Sequence, residues 1–431
     1  MEKLFKLQQN GTTVRREILA GLTTFLTMAY ILAVNPGMLG SIGNGMTPGA
    51  VFTATVVASI IATLVMGLAA NLPVALAPGM GLNAFFTYTV VFGMGYSWQI
   101  ALTAVFLEGI LFILLSFFNV REAIVKAIPQ NLKKAVAVGI GLFIALIGMS
   151  NAGIIIGDGG TIVALGNVTS GGALVAVIGL IVTVVLFAKK VPGAILIGII
   201  ATTIIGIPFG VTSIPEGFSP FSLPAAPLFM QFDFSSVLTF KFFIVFFTFL
   251  FVDIFDTVGT LVGVTTQANL IDKNGDVPRV KQAFIADAVG TVAGAALGTS
   301  TVTSYIESAA GVAAGGRTGL TSVSTAFFFL IALFLSPLFL LIPGAATAPA
   351  LIMVGFLMMK SVTSIDFTDP TEGIPAFIAI IMMPFAYSIA EGIVYGILTY
   401  VILKLCTGKI KEISVVTWVL FVVFILRFFI K

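Results

Sequence analysis

Long apolar segments recur along the chain and are separated by short breaks of polar, glycine and proline residues. A helix that crosses a membrane needs about 20 mostly apolar residues. On this pattern we predict twelve complete spans, over residues 17–40, 49–72, 98–118, 131–153, 171–188, 191–208, 240–265, 282–297, 318–342, 345–361, 373–389 and 391–406. The periodicity therefore predicts an all-α polytopic membrane protein.

Two further apolar segments, Pro73–Gly93 and Gly298–Gly316, are interrupted by helix-breaking or hydroxyl residues. Counting both gives fourteen spans, and the interrupted ones are the third and the tenth. Each is third in a set of seven, and because seven is odd, the second set inserts in the opposite orientation. Secondary transporters use such inverted repeats with paired broken helices to build a midplane site. Residues 415–430 could form a further span or an interfacial helix.

The basic residues support this topology. With the N-terminus in the cytoplasm, eighteen of the 21 Lys and Arg residues fall on the cytoplasmic side, where such residues accumulate. The exceptions are Lys241, at an outer helix end, and Arg427 and Lys431, which the pattern leaves unassigned. We therefore expect a multi-pass protein of the cell membrane with a cytoplasmic N-terminus.

Composition excludes several classes of function. The chain is 58% hydrophobic and 9% charged, whereas soluble domains carry about 25% charged residues. It has no basic run that could follow a phosphate backbone, so nucleic-acid binding is not expected. Cys406 is the only cysteine and there is no His, so proton chemistry would fall to carboxylates. We expect neither an enzyme nor a bound metal or cofactor.

Backbone that is not helical survives at membrane depth only inside protein or beside a cavity. We predict that Met80–Asn83 and residues 300–303 run extended and pair with each other. Each would lead into a half-helix whose positively polarised N-terminus points to the membrane centre. The alternative interpretation is that both stretches are polar loops outside the membrane.

Six carboxylates lie within the apolar segments, and each costs about 2.5–3.5 kcal/mol at the bilayer centre if it is unpaired. A structural hydrogen-bonding role is favoured for four of them: Glu108, Asp253, Asp287 and Glu391. A site role is favoured for Asp256 and Glu307. Asn83, beside the first break, could contact a ligand or cap a helix.

Two carboxyls and an amide, without a cation at similar depth, suit a flat, neutral molecule that offers N–H donors. A lactam N–H beside an amino group can meet one carboxylate with two parallel hydrogen bonds. Phe85, Phe86 and Tyr305 could stack on its faces or could serve only in packing. An anion transporter or channel would require a basic or carboxylate-free pocket instead.

Four segments carry a family resemblance: residues 21–36 (GLTTFLTMAYILAVNP), 77–86 (APGMGLNAFF), 251–260 (FVDIFDTVGT) and 298–311 (GTSTVTSYIESAAG). With these, the chain resembles the AzgA-like purine permease branch of the nucleobase–cation symporter-2 superfamily over nearly its whole length. Other branches carry a Gln-His pair in the first span. That pair is missing here, where Thr27 and Met28 occupy the region.

The resemblance implies a core domain that moves against a gate domain. The implied division is a cytoplasmic N-terminus 1–16, core segments 17–118 and 240–342, gate segments 119–208 and 343–408, an extracellular loop 209–239 and a C-terminal hydrophobic segment 409–431. A homodimer formed through gate helices is a further possibility.

The resemblance also implies the site. Glu307 would grip the base, Asp256 would bind it or carry a proton, and Asn83 with Gly81 would form the polar position of the third span. Thr303 and the three aromatic residues complete the set of candidates. The expected function is import of guanine or hypoxanthine, or of adenine, with H⁺ favoured over Na⁺ as the coupling ion. A uracil or xanthine permease is the nearest alternative.

Overall fold

The computed structural model describes residues 2–117, 129–157, 163–270 and 277–429. The first half contains helices α1 (Glu2–Phe5), α2 (Val14–Met28), α3 (Ile31–Gly40), α4 (Pro48–Val65), α5 (Met80–Ala84), α6 (Trp98–Phe117), α7 (Gln130–Asn151), α8 (Gly171–Ala188) and α9 (Ala194–Gly206), with strands β1 (Leu76–Pro78), β2 (Ile155–Ile156) and β3 (Ala164–Leu165). π-Helical turns Met66–Ala70 and Phe85–Gly93 continue α4 and α5.

The second half contains α10 (Phe240–Gln267), α11 (Val280–Leu297), β4 (Val302–Ser304), α12 (Ser308–Ala313), α13 (Gly319–Leu333), α14 (Ser336–Leu340), α15 (Gly344–Met359), α16 (Pro370–Phe385), α17 (Ile389–Cys406) and α18 (Val415–Phe429). Short 3₁₀ turns at Lys360–Ser364 and Ile410–Glu412 follow α15 and α17.

The predicted fold class is confirmed. In the described ranges, nine helices are long and apolar enough to cross a membrane, and shorter apolar helices supply the other spans. The third and tenth segments are each a strand followed by a short helix, as expected for fourteen segments in a seven-plus-seven inverted repeat. The predicted boundary at residues 118–119 lies outside the described residues, as do Arg121, Lys126 and Lys273, which the sequence assigned to the cytoplasmic side.

The two interrupted spans pair through their strands, although one of the predicted positions was wrong. β1 runs antiparallel to β4, with Leu76 opposite Ser304 and Pro78 opposite Val302. Met80–Asn83, which we expected to be extended, is already helical. Gly79 is the last extended residue, and its N–H donates to the carbonyl of Thr301. The strand pairing therefore satisfies backbone N–H and C=O groups just before the two half-helices, α5 and α12, begin.

The helices pack in two groups, each of which mixes the two halves of the chain. The first group contains α2–α6 and α10–α13, and within it α11 packs against α4 and α6 while α13 packs against α2 and α4. The second contains α7–α9 and α15–α17, with α7 packed against α15 and α16. Glycine permits the close approach inside a group, since a Cβ on Gly141 of α7 would meet the carbonyl oxygen of Gly355 of α15 at 2.8 Å.

The long connection 207–239 lies against the first group. The amides of Leu228 and Met230 donate to the last carbonyls of α11, and the amide of Asp233 donates to the hydroxyl oxygen of Thr103 in α6. After α17, the helix α18 packs against that helix and reaches α10 through a ring contact between Phe424 and Phe247. The described part of the undecided segment 415–430, Val415–Phe429, is therefore helical and packed.

Candidate substrate site

A cavity of about 530 Å³ lies between the two helix groups. One wall comes from α7 and α15 of the second group, and the other comes from α10 and the residues that precede α12 in the first. Asp256 and Glu307 both line it. The two carboxylates that the sequence singled out therefore face one space, although 51 positions separate them in the chain.

Asp256 of α10 lies close to Gly79, the last extended residue before α5. Its Oδ2 lies 3.7 Å from the place that a Cβ on Gly79 would occupy. One residue further along α10, Thr257 turns away from the cavity, where its hydroxyl donates to Asp287 at 2.6 Å and pairs with Thr303 at 2.8 Å. These contacts fix the rotation of α10 about its axis and thereby direct Asp256 into the cavity.

Glu307 is the residue immediately before α12. Its Oε1 accepts a hydrogen bond of 2.6 Å from the hydroxyl of Tyr30, and its backbone carbonyl accepts one of 3.3 Å from Thr27. Both donors come from the first span. Glu307 therefore depends for its position on a contact with a segment that lies 277 residues away in the chain.

Asn83 lies beside the cavity rather than among its lining residues. It is fully buried, its Oδ1 accepts a hydrogen bond from Ser300, and its Nδ2 donates to the carbonyl of Pro78 at 3.4 Å. Phe85 and Phe86 are also fully buried, and both pack against Phe249 of α10. In this structure these three side chains are engaged in joining the interrupted spans to their neighbours.

The remaining candidates lie at the strand crossing. Tyr305 is buried, and its hydroxyl donates to the carbonyl of Pro78 at 2.5 Å. Thr303 is buried and bonded to Thr257. A Cβ on Gly81 would meet Cγ2 of Ile140, which lines the cavity, at 2.7 Å. Gly81 thus sets how closely α5 approaches α7.

The other intramembrane carboxylates make contacts away from the cavity. Thr301 donates to Glu108 at 2.8 Å, and Thr257 donates to Asp287 at 2.6 Å while its hydroxyl lies 3.4 Å from Oδ1 of Asp253. Glu391 lies in the first turn of α17. The sequence reasoning missed a further buried carboxylate, Glu17, which accepts bonds from two amides just before α13 and from one in its first turn. The sequence feature that could have indicated Glu17 is the position of an acidic residue at the start of an apolar helix.

Lys133 and Lys134 were also missed as site residues. Both lie in the first turns of α7 and line the same cavity as the two carboxylates. Lys134 donates to the carbonyl of Ser364 at 2.5 Å, which ties α7 to the turn after α15. The sequence assigned both residues to a cytoplasmic cluster. The cavity therefore opens toward the membrane face on which that cluster lies.

A cavity between two packing groups, beside paired broken spans of an inverted repeat, is the arrangement of a secondary transporter. Residues 15–423 match the profile of the xanthine/uracil permeases, described as the Permease family. The chain belongs to this family, which confirms the resemblance drawn from the sequence.

Two relatives match over nearly their whole length. The chain is 46% identical to the guanine/hypoxanthine permease PbuG of Bacillus subtilis (strain 168), with 99% of each chain covered. It is 44% identical to the adenine permease AdeQ of Escherichia coli (strain K12), with 99% of this chain and 96% of the relative covered. Among solved structures, the transmembrane domain of the cyanobacterial bicarbonate transporter BicA matches with a TM-score of 0.65 and 16% identity, over 89% of this chain and 97% of that domain. That likeness shows the fold alone.

Proposed function

We propose that this permease imports purine nucleobases, guanine and hypoxanthine foremost and adenine as a further candidate, together with protons. The observation that carries the proposal is that Asp256 and Glu307 line one cavity between the two helix groups. The substrates for which the two relatives are named, adenine and guanine or hypoxanthine, support the same class of molecule. Membership of the Permease family supports transport rather than catalysis.

The chemistry of the cavity suits an uncharged heterocycle. An ionised carboxylate only accepts hydrogen bonds, through two oxygens, and a purine presents N–H donors along its edge. Apolar side chains from both walls, including Ile140, Val252 and Val354, offer flat contact for a ring. Ligand pockets typically measure about 300–1,000 Å³, so a cavity of about 530 Å³ accommodates a base with several waters.

The position of the cavity suggests how the base crosses the membrane. A base bound there contacts both groups, which we assign as core (α2–α6 and α10–α13) and gate (α7–α9 and α15–α17). Movement of the core along the gate would carry Asp256 and Glu307 from one membrane face to the other. A ligand shifts such an equilibrium only through its different affinities for the two states.

Proton coupling follows from the same two carboxyls. A protonated carboxyl donates one hydrogen bond, whereas an ionised one only accepts. A base with a fixed pattern of donors and acceptors therefore binds best to one protonation state, which links its binding to uptake of a proton. We favour H⁺ over Na⁺ because this site relies on carboxyls that can each carry a proton.

The N-terminus is assigned to the cytoplasm, which makes the open side of the cavity cytoplasmic. Lys133 and Lys134 at the opening agree with the excess of basic residues on that side. The present conformation is then inward-facing. Association of two copies through gate helices stays a prediction from the resemblance.

The presence of Lys133 in the cavity favours one rival, an anion transporter. A cationic amine at a binding site attracts anions, but two carboxylates in the same cavity oppose them. The other rival, a uracil or xanthine permease, would use the same carboxyls on a different ring. Both rivals can be distinguished by competition.

The test is uptake of labelled guanine into proteoliposomes under an imposed proton gradient, with unlabelled hypoxanthine, adenine, xanthine, uracil and bicarbonate as competitors. We expect hypoxanthine to compete best, and a protonophore to abolish accumulation. Glu307→Gln should remove uptake. Competition by bicarbonate alone would support the anion transporter, and normal uptake by Glu307→Gln would refute the proposed site.

A further inference from the structure

The first span breaks in the middle, and the break places a tyrosine against the proposed binding site. α2 ends at Met28 and α3 begins at Ile31, so that Ala29 and Tyr30 form the joint between them. Tyr30 is 1% exposed, and its hydroxyl donates to Oε1 of Glu307 at 2.6 Å. The side chain is therefore fixed where the first span meets the carboxylate that precedes α12.

The joint has a defined geometry. Tyr30 keeps αR backbone angles, φ −56° and ψ −27°, while Leu32 and Ala33 donate to carbonyls only three residues back. The phenol of Tyr30 reaches Glu307 from this turn. Thr27, one turn earlier, donates to the backbone carbonyl of the same residue. The first span thus holds both the backbone and the side chain of Glu307.

We propose that Tyr30 is a positioning residue for substrate recognition, which it serves by orienting the carboxylate of Glu307. This inference rests on the proposed function. A carboxylate has two oxygens with about four lone-pair positions, and Tyr30 occupies one position on Oε1. Glu307 lines the cavity and Tyr30 does not, so Tyr30 holds the carboxylate from the side away from the space for the base. Tyr30 thereby selects one rotamer of Glu307 before the base arrives.

A structural role and a positioning role predict different kinetics. If Tyr30 only supported the fold, its loss would lower the amount of active transporter, and hence Vmax, at unchanged KM. If it orients Glu307, its loss leaves the carboxylate mobile in the cavity, and each binding event must fix it again. The affinity for the base then falls, and KM rises.

The test is Tyr30→Phe, which keeps the ring and removes only the hydroxyl. The matched control is Tyr88→Phe, since the hydroxyl of Tyr88 bonds Asn151 and lies outside the cavity lining. Initial rates of guanine uptake and equilibrium binding to the purified full chain are measured for both. A hydrogen bond to a charged group is worth about tenfold or more in affinity. We expect KM and Kd to rise about tenfold in Tyr30→Phe at similar Vmax, and to stay within about twofold in the control.

An unchanged KM in Tyr30→Phe would overturn the inference, whether or not Vmax falls. The variant Glu307→Gln distinguishes a failure of the inference about Tyr30 from a failure of the proposed function. If Glu307→Gln loses binding while Tyr30→Phe binds normally, the site stands and only the role of Tyr30 is wrong. If the unaltered protein binds none of the purines, or if Glu307→Gln binds them normally, both proposals fail.

Discussion

The side chain of Asn83 accepts a hydrogen bond from Ser300, which joins the third and tenth segments across 217 residues of sequence. The same two segments pair through β1 and β4. The crossing is therefore held by side chains as well as by backbone, and both partners are fully buried. Asn83 contributes to the site indirectly in this structure, by fixing the crossing beside which Asp256 and Glu307 lie.

Replacing Asn83 tests this arrangement. Asn83→Ala leaves Ser300 without its acceptor, which costs about 1–3 kcal/mol when the group left behind is buried. We expect a lower Tm and a lower Vmax, while KM changes by less than about threefold. Ser300→Ala should behave alike, and the double variant should be no worse than the single ones because both remove one interaction. A KM that rises tenfold or more in Asn83→Ala alone would show that Asn83 contacts the base.

The contact of Gly81 with Ile140 predicts a second result. A methyl group on Gly81 would lie 2.7 Å from Cγ2 of Ile140, so Gly81→Ala pushes α5 away from α7. Overpacking of this kind typically costs about 1–3 kcal/mol. We expect guanine uptake to fall at least tenfold, and Ile140→Ala to restore part of it in the double variant. Uptake by Gly81→Ala equal to that of the unaltered protein would show that this approach is not needed for transport.

The direction in which the cavity opens can be tested with a cysteine. Gly259 lines the cavity and has open space where its Cβ would lie. In a Cys406→Ser background, Gly259→Cys should react with a membrane-impermeant thiol reagent in inside-out vesicles, and guanine should slow the reaction. Cys406→Ser alone serves as the blank. Labelling that occurs only in right-side-out vesicles would reverse the assigned orientation.

One prediction concerns how the thermal stability of the protein depends on pH. Asp369 caps α16, and its Oδ2 accepts a bond of 2.7 Å from Lys409, while Thr371 donates to Oδ1. The bond from Lys409, with those from Thr371, holds the pKa of Asp369 below its usual value. A lowered pKa stabilises the fold above the unfolded value of about 3.9 and loses that effect as the pH falls below it.

Asp369→Asn should therefore lower the Tm at pH 7 by on the order of 1–2 °C, because the pair is exposed. The difference from the unaltered protein should narrow below about pH 4. Thermal unfolding of the purified protein across this range is the measurement, with Glu216→Gln in the exposed connection 207–239 as the control. A difference that stays constant down to pH 3 would mean that the carboxylate charge is not what stabilises the cap.

Much of the fold could be predicted because the membrane imposes strong rules on the sequence. Apolar length gave the spans, and Pro78 with Gly79 marked the first break. The residues that pair between the two strands could not be predicted in this way. β1 lies at Leu76–Pro78 rather than at Met80–Asn83, since the register depends on where the partner strand falls. Local sequence does not specify that partner.

The site residues could be predicted where burying their charge in lipid is costly. They could not be predicted where their place in the site depends only on tertiary contacts. Asp256 and Glu307 stood out because carboxylates are expensive in lipid. Phe85 and Phe86 were proposed as stacking groups but pack on Phe249, and with 40 Phe in the chain their type indicates little. Lys133 joined the cavity only through the packing of α7 against distant segments.

The most direct test of the account is equilibrium binding of labelled guanine to the purified full chain and to Asp256→Asn and Glu307→Gln. The exposed Glu216→Gln serves as the control. If both carboxylates recognise an uncharged base in one cavity, Glu307→Gln should weaken binding at least about thirtyfold, as expected for hydrogen bonds to a charged group. Asp256→Asn should weaken it or remove its dependence on pH. Binding by both variants that equals that of the unaltered protein, at every pH, would contradict the account.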